Sequence, residues 1–456
     1  MRSLVLDYID EVYRDVLNDR SGSVADYIPQ LAQVDPDLFG IALATVDGHV
    51  YETGDSRHGF SIQSVSKPFT YALALADRGV GPVTAKVGLE PSGEPFNEIS
   101  LDPATGQPRN PMINAGAIAC ASLVRGGSAA ARFERIRRFY SRFAGRDLHA
   151  DEAVYASELD TGHRNRAIAH LLRAAGVIEE DPEVSLDVYI RQCSIEVDCR
   201  DLSLMAAGLA TGGVHPVDGE RLLSAPLTER VLSVMTTCGM YDAAGNWAAQ
   251  VGMAAKSGVG GGIIAVLPGQ LGLAVYSPRL DPHGNSTRGT HTCRRLSQEL
   301  GLHFMHVGRA AHSAIRDCYD LSANPSGRDH PPADLDVLRR HGHRAMVYEL
   351  HGDLLFAGAE TVIRAATESG RDLDLVIVDT RAVGEVADVS RRMLRGLRER
   401  LSAGGCEVVL VGGEPAVMPT MASAVEYCED RLIARYGQPP SRAAQEQRPA
   451  PGPGGG

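Results

Sequence analysis

Ser64, Lys67 and Lys256 are the residues of this 456-residue chain whose types and spacing most directly suggest chemistry. Ser64 and Lys67 stand three positions apart in Gln63-Ser64-Val65-Ser66-Lys67-Pro68-Phe69, just ahead of the helix-forming run Ala72-Leu73-Ala74-Leu75-Ala76. Pro68 lacks an N–H and fits a first helical turn, where donors have no intrahelical acceptor. Residues three apart are neighbours on a helix, so the hydroxyl and the amine share one face at its mouth. A serine hydroxyl is a weak nucleophile that needs a base, and a lysine amine serves once burial lowers its pKa. The helix N-terminus adds positive potential, which disfavours the ammonium and favours a developing oxyanion. By itself the pattern is weak and more often describes a Ser N-cap followed by a solvated Lys.

Composition separates those readings. Of 45 Lys plus Arg, only Lys67, Lys86 and Lys256 are lysines. Arginine does nearly all the ordinary cationic work here, and arginine cannot act as a base. Lys256 opens Lys256-Ser257-Gly258-Val259-Gly260-Gly261-Gly262, about 190 residues after Ser64. A Ser-x-x-Lys followed by such a Lys-Ser-Gly resembles the penicillin-recognising serine enzymes, in which the second motif lines a strand beside the nucleophile.

The length allows two or three domains. Hydrophobic content of 44% and charged content of 22% describe an ordinary soluble globular protein. A net charge of −12 argues against nucleic-acid binding. No apolar run reaches membrane-span length and the N-terminus is not a signal peptide, which predicts a cytoplasmic protein with no membrane part. The eight cysteines are dispersed, with no Cys-x-x-Cys pair and no Cys/His ligand spacing. They read as buried thiols, with neither a disulfide nor a zinc site.

The elements that must position the motifs follow from periodicity. Residues 4–17 carry Leu4, Val5, Ile9, Val12, Tyr13 and Val16 at helical spacing. Residues 39–54 alternate around Asp47-Gly48 and predict a hairpin; residues 262–277 predict a second. Residues 81–113 are irregular, and Asn114 reads as the cap of the helix that follows them. Residues 157–168 read as a loop entering a helix, on which Glu158 and Asn165 are surface polar groups in the bland reading. Helices are predicted over Leu186–Val197, which carries Tyr189, and over Leu202–Leu209, with another ending near Leu302. Two hairpins at opposite ends of mostly helical chain imply an α+β fold: one antiparallel sheet closed late, with a helical domain inserted. A Pro-rich linker is expected around 322–335. Beyond it, alternating strands and helices predict a small α/β domain with a largely parallel sheet, then a disordered tail over 437–456.

Six separated stretches, assembled in order, resemble the serine-dependent glutaminases over about residues 4–306. They are Val24-Ala25-Asp26-Tyr27-Ile28-Pro29-Gln30-Leu31-Ala32, Gln63 to Lys67, Asn110 to Ile118, Ser157-Glu158 with Arg164-Asn165-Arg166-Ala167, Cys238 to Asp242, and Lys256 to Val259. The resemblance implies a fold shared with serine β-lactamases and penicillin-binding enzymes, and hydrolysis of L-glutamine to L-glutamate and ammonia through a serine acyl-enzyme. Carried over, Ser64 is the nucleophile, Lys67 its activating partner and Tyr241 an aid to proton transfer. The Ser64 and Val259 amides form the oxyanion hole. Tyr27, Gln63, Asn114, Glu158, Asn165 and Tyr189 hold the amino acid, with Glu158 meeting its ammonium. No metal or organic cofactor is implied, and a homo-oligomer is expected.

The implied division is a catalytic domain over 1–310, a linker over 311–343, a second domain over 344–436 and the tail. Through Gly352 to Glu360 and Val376 to Thr380, the second domain resembles a STAS domain (sulfate transporter and anti-sigma-factor antagonist type), a module for regulation or a protein partner. In switching relatives a phosphorylatable serine opens a helix here. Asp388 falls at that position and is expected as a charged N-cap, with Ser390 as the alternative acceptor. Two rivals remain: a penicillin-hydrolysing or peptidase-like relative sharing Ser64, Lys67 and Lys256, and a non-catalytic scaffold for the C-terminal domain. Glutamine-dependent ammonia release separates all three.

Overall fold

The computed structural model describes residues 3–93, 101–306, 314–368, 372–412 and 418–437. The expected tail, apart from Gly437, lies outside them. Met1 aside, the chain divides into two compact units, Arg2–Ala310 and Ala311–Gly456.

In the first unit, α1 (Leu4–Val16) is capped by Ser3 and buries Val5, Ile9, Val12 and Val16, one stripe of an amphipathic helix. The single turn α2 (Pro29–Ala32) precedes the hairpin β1 (Gly40–Thr45) and β2 (Val50–Gly54). The short strand β3 (Phe60–Ser61) leads through a 3₁₀ turn, Gln63–Ser66, into α3 (Lys67–Arg78). Helices α4 (Val80–Thr84), α5 (Asn114–Leu123), α6 (Ala129–Ala144), α7 (Glu152–Thr161), α8 (His163–Ala174) and α9 (Pro182–Cys193) form the insertion. Then follow β4 (Glu196–Val197), α10 (Cys199–Ala210), α11 (Ala225–Cys238) and α12 (Ala244–Gln250). Strands β5 (Ala254–Ser257), β6 (Gly262–Leu267) and β7 (Leu271–Tyr276) and helix α13 (Thr287–Leu300) complete the unit.

The five-stranded sheet has the order β2-β1-β7-β6-β5, with every pair antiparallel. The late hairpin β6–β7 thus closes onto β1, as two separated hairpins predicted. Strands β1, β6 and β7 are buried at every residue, because α10 packs on β1, β6 and β7, and α1 and α13 also pack on the sheet. Such two-sided burial makes these strands read as continuous apolar runs, not alternating ones. Gly272 permits the close approach of α10: a Cβ there would lie 2.2 Å from the Ala207 nitrogen.

Three local expectations change. The helix expected to reach Val197 ends at Cys193, since Glu196 and Val197 leave it to pair with Phe60 and Ser61. Residues 157–168 are not a loop but two helices, α7 and α8, broken only at Gly162. Asn114 does not cap α5; Ile113 holds that position without a side-chain bond, and the Asn114 amide is engaged elsewhere.

In the second unit, β8 (Ile315–Asp320), β9 (Ala345–Leu354), β10 (Leu375–Val386) and β11 (Glu407–Val411) form a sheet of order β11-β10-β9-β8. Strands β9, β10 and β11 are parallel, and β8 lies antiparallel at the edge. Helices α14 (Pro332–His341), α15 (Phe356–Glu368), α16 (Asp388–Ala403) and α17 (Met421–Tyr436) accompany it. The expected linker over 311–343 therefore holds a strand and a helix. Buried Glu429 accepts from the Ser326 N–H at 2.7 Å and pairs with His330 at 3.0 Å, which pins this polar stretch to α17. Leu321 and Leu338 join the unit's core.

Asp388 is the first residue of α16, makes no cap bond, and has a side chain 94% exposed; Ala387 holds the cap position. Ser390 is fully buried, with a hydroxyl that has no hydrogen-bond partner. All eight cysteines are free thiols; seven are buried and Cys318 is exposed. Among the described residues no helix is long and apolar enough to cross a membrane.

Candidate active site

The only non-glycine residues with positive φ among those described are Gln63 (49°) and Tyr241 (54°). Such conformations are strained and persist where surrounding structure over-determines them, commonly at functional sites. Each opens a 3₁₀ turn, Gln63–Ser66 and Tyr241–Ala243. These turns bring the Ser64 hydroxyl and the Tyr241 phenol near one another. The β5–β6 loop closes over the same turn. A Cβ on Gly258 would lie 3.3 Å from the Ser64 nitrogen and 3.2 Å from the Ile62 oxygen, so glycine lets the two backbones approach. The loop's internal bonds, Gly258 N–H to Gly262 O and Gly261 N–H to Gly258 O at 2.9 Å each, do not use the Val259 N–H.

Lys67, only 1% exposed, follows Ser64 into the first turn of α3. Its Nζ donates to Asn114 Oδ1 at 2.6 Å, and Asn114 Nδ2 donates to Asn165 Oδ1 at 2.9 Å. The Tyr189 hydroxyl donates to the same Asn114 oxygen at 3.3 Å. Gln63 Nε2 donates to Ser61 Oγ at 3.2 Å and to Glu158 Oε1. The Gln63–Ser66 turn, α3, α5, α7, α8 and α9 thus meet.

They enclose a cavity of about 360 Å³ lined by Tyr27, Gln63, Ser64, Asn114, Glu158, Asn165, Tyr189 and Val259. Lys67 and Tyr241 do not line it; they stand behind Ser64, with Lys67 Nζ 5.8 Å from the Tyr241 ring centre. All ten site residues read from the sequence are accordingly in or against one cavity. Thr161, Gly162 and Arg164 line it as well and were not singled out. They occupy the break between α7 and α8, which a loop reading of 157–168 concealed.

Burial governs the electrostatics. It pushes the Lys67 amine down to about 7, against the pull of Cys193 and Glu158. It pushes the Glu158 carboxyl up to about 7, opposed by the Gln63 hydrogen bond and the Lys67 charge. Both directions are those expected when a charged form loses water. The Tyr241 phenol is raised by burial, an effect that the nearby Ser64 side chain partly offsets. Lys256, fully buried, is pushed well below its ordinary value by burial and by the Lys67 charge. Its Nζ donates to Gly239 O at 3.0 Å and Ser257 O at 2.7 Å, and sits 3.8 Å from the Tyr241 ring centre. Lys86 lies away from this group and pairs with Glu179 at 2.8 Å.

A larger open groove of about 540 Å³ in the second unit lacks this convergence. Its Arg431 and Arg435 are already paired with Glu407 and Asp374. Among the described residues, no three His, Cys, Asp or Glu side chains gather as for a metal ion.

A family model for glutaminase matches residues 22–305. Glutaminase 1 of Bradyrhizobium diazoefficiens is 44% identical over 451 residues, spanning 95% of this chain and 73% of the relative. The glutaminase of Corynebacterium glutamicum is 41% identical over 428 residues, spanning 93% and 98%. The crystal structure of Mglu superposes with a TM-score of 0.67 at 42% identity, covering 91% of this chain and all of Mglu. On these matches, the chain belongs to the glutaminase family, the enzymes that hydrolyse glutamine.

Proposed function

We propose that Ser64 carries out this hydrolysis as a nucleophile through a γ-glutamyl ester. The observation that carries the reading is the buried Ser64–Lys67–Asn114 group beside Tyr241, opening on a cavity that holds one buried carboxylate, Glu158. Lys67, held near neutrality by burial, takes the Ser64 proton as Oγ attacks the side-chain amide carbon of L-glutamine. The Ser64 and Val259 N–H groups receive the oxyanion. When the C–N bond breaks, Lys67 returns the proton through Tyr241 to the leaving nitrogen, and ammonia departs. Water then attacks the ester, its proton goes to the same base, and glutamate and free Ser64 result. Glu158 neutralises the substrate ammonium, which avoids burying a lone charge; Tyr27, Gln63, Asn114, Asn165 and Tyr189 orient the rest.

The order of the sheet, with the Lys256 strand at its edge beside the Ser64 turn and a helical insertion, supports the fold of the penicillin-recognising serine enzymes. In the second unit, three parallel strands with an antiparallel edge support a STAS-like module that binds a protein partner or promotes assembly. Asp388 provides standing negative charge at the start of α16, so docking needs no phosphorylation. A cytoplasmic homo-oligomer completes the reading, and light scattering tests the assembly. The mechanism itself is tested with Ser64→Ala, for which kcat should fall by several orders of magnitude in a folded protein. Near-normal turnover in that variant would remove Ser64 from the chemistry.

A further inference from the structure

Four buried polar residues behind the Ser64 turn have no part in the reaction as described: Ser66, Thr70, Tyr140 and Gln192. Each is wholly inaccessible to solvent, and none lines the cavity. They form a closed ring. The Tyr140 hydroxyl donates to the Ser66 carbonyl at 2.8 Å and lies 2.6 Å from Thr70 Oγ1. Thr70 Oγ1 donates to Gln192 Oε1 at 2.7 Å, and Gln192 Nε2 returns to Ser66 Oγ at 3.4 Å. Thr70 and Tyr140 carry two hydroxyl protons for three oxygen–oxygen contacts, so two of the three are hydrogen bonds in any one arrangement of the protons. Ser66 Oγ in turn donates to the carbonyl of Gln63 at 2.6 Å.

The ring therefore starts and ends on Ser66, and Ser66 grips the residue immediately before Ser64. That residue, Gln63, has the left-handed backbone, which is strained and relaxes unless neighbours hold it. Three separate helices supply the hold: Thr70 from α3, Tyr140 from α6 and Gln192 from α9. Stability alone does not call for such a group. Apolar side chains fill a core as well without burying polar atoms, as Phe69 does beside Tyr140 and Phe143 does beside Phe69. A buried polar network joined across several helices restricts their relative geometry in return for its desolvation cost.

We propose that the Ser66–Tyr140–Thr70–Gln192 ring is a positioning device for Ser64, locking the Gln63–Ser66 turn so that the Ser64 hydroxyl and N–H hold their reactive directions. The proposal rests on Ser64 being the nucleophile. The ring touches no substrate; it sets attack geometry, and it leaves the Glu158 side of the cavity to other residues.

Full-length Thr70→Val, Thr70→Ser and Tyr140→Phe are compared with the parent enzyme and Ser64→Ala, following glutamine-dependent ammonia release per folded enzyme. Small displacements at a reacting atom cost large factors in rate. Thr70→Val and Tyr140→Phe should lower kcat roughly tenfold to a hundredfold while KM stays within about twofold. Thr70→Ser keeps the hydroxyl and should stay within about twofold of the parent in both constants. If Tyr140→Phe does not fold, the near-isosteric Thr70 pair decides. An unchanged kcat with only a lower Tm, a change confined to KM, or equal damage in Thr70→Ser and Thr70→Val each overturns the proposal. An active Ser64→Ala removes the nucleophile reading instead; an inactive one with intact ring variants removes the ring proposal alone.

Discussion

Lys67 and Asn114 are joined amine to amide: Nζ donates to Oδ1 at 2.6 Å, and both side chains are buried. An amide oxygen orients the amine without adding a full negative charge. A carboxylate in its place would hold the ammonium and spoil the base.

Asn114→Asp tests that reasoning directly. The new carboxylate favours the charged form of Lys67 and raises its pKa, so the acid limb of the kcat profile should move to higher pH by about one pH unit or more. At a fixed pH below that limb, a one-unit move lowers the rate about tenfold. An acid limb that stays in place, in a variant that folds, would show that Lys67 does not work as the base.

The parent enzyme should itself show a steep acid limb. Lys67 is pushed down to about 7 and Glu158 up to about 7, both by burial. In the proposed mechanism Lys67 acts unprotonated and Glu158 ionised, so both active forms appear as pH rises. The free enzyme sheds two protons on the way to its active form, and the groups titrate as an interacting pair. The logarithm of kcat/KM should climb with a slope between about one and two below about pH 7, then level off. Lys67→Arg, which cannot release a proton, should be nearly inactive throughout. A flat profile in the parent, or substantial activity in Lys67→Arg, contradicts this account.

Glu158 is assigned to the substrate ammonium, and a double comparison isolates that pairing. Glu158→Gln should impair both binding and turnover of glutamine. An analogue lacking the amine should bind the parent weakly and lose little more in the variant. The coupling between residue and amine is the quantity measured. A coupling of zero, with equal losses for both ligands, separates Glu158 from the ammonium.

Ser64, Lys67 and Lys256 are legible in local patterns, while the rest of the candidate site follows only from the resemblance to the glutaminases. Ser64, Lys67 and Pro68 announce a helix mouth, and the scarcity of lysine marks Lys67 and Lys256. Both hairpins are legible through their turns and the apolar runs that flank them. What stayed hidden depends on distant contacts. The left-handed backbone of Gln63 and Tyr241 has no signature in residue type, and the bond from Asn114 to Lys67 joins residues 47 apart. The segment around Ser326 looked like a linker because its composition is polar. Its order comes from Glu429, about a hundred residues later, which no local window contains.

The second unit is expected to be dispensable for the chemistry. Every proposed catalytic and binding residue lies before Ala310, and the core around Val347, Ile377 and Val409 belongs to the second unit alone. A chain ending at Ala310, which removes β8 and α14 together with the rest of that unit, should keep kcat and KM within about twofold per site. It should lose an assembly state or a protein contact, read by light scattering against the full chain. A collapse of kcat in a folded truncated protein would make the second unit part of the catalytic apparatus. The proposed absence of a phosphorylation switch has its own check. Ser390 is buried within α16, and Asp388 already carries negative charge at that helix's exposed start. Mass spectrometry of the protein from its native cell should find no phosphate on Ser390. Phosphate there, together with altered association, would mean that α16 opens, and docking would be switched instead of constitutive.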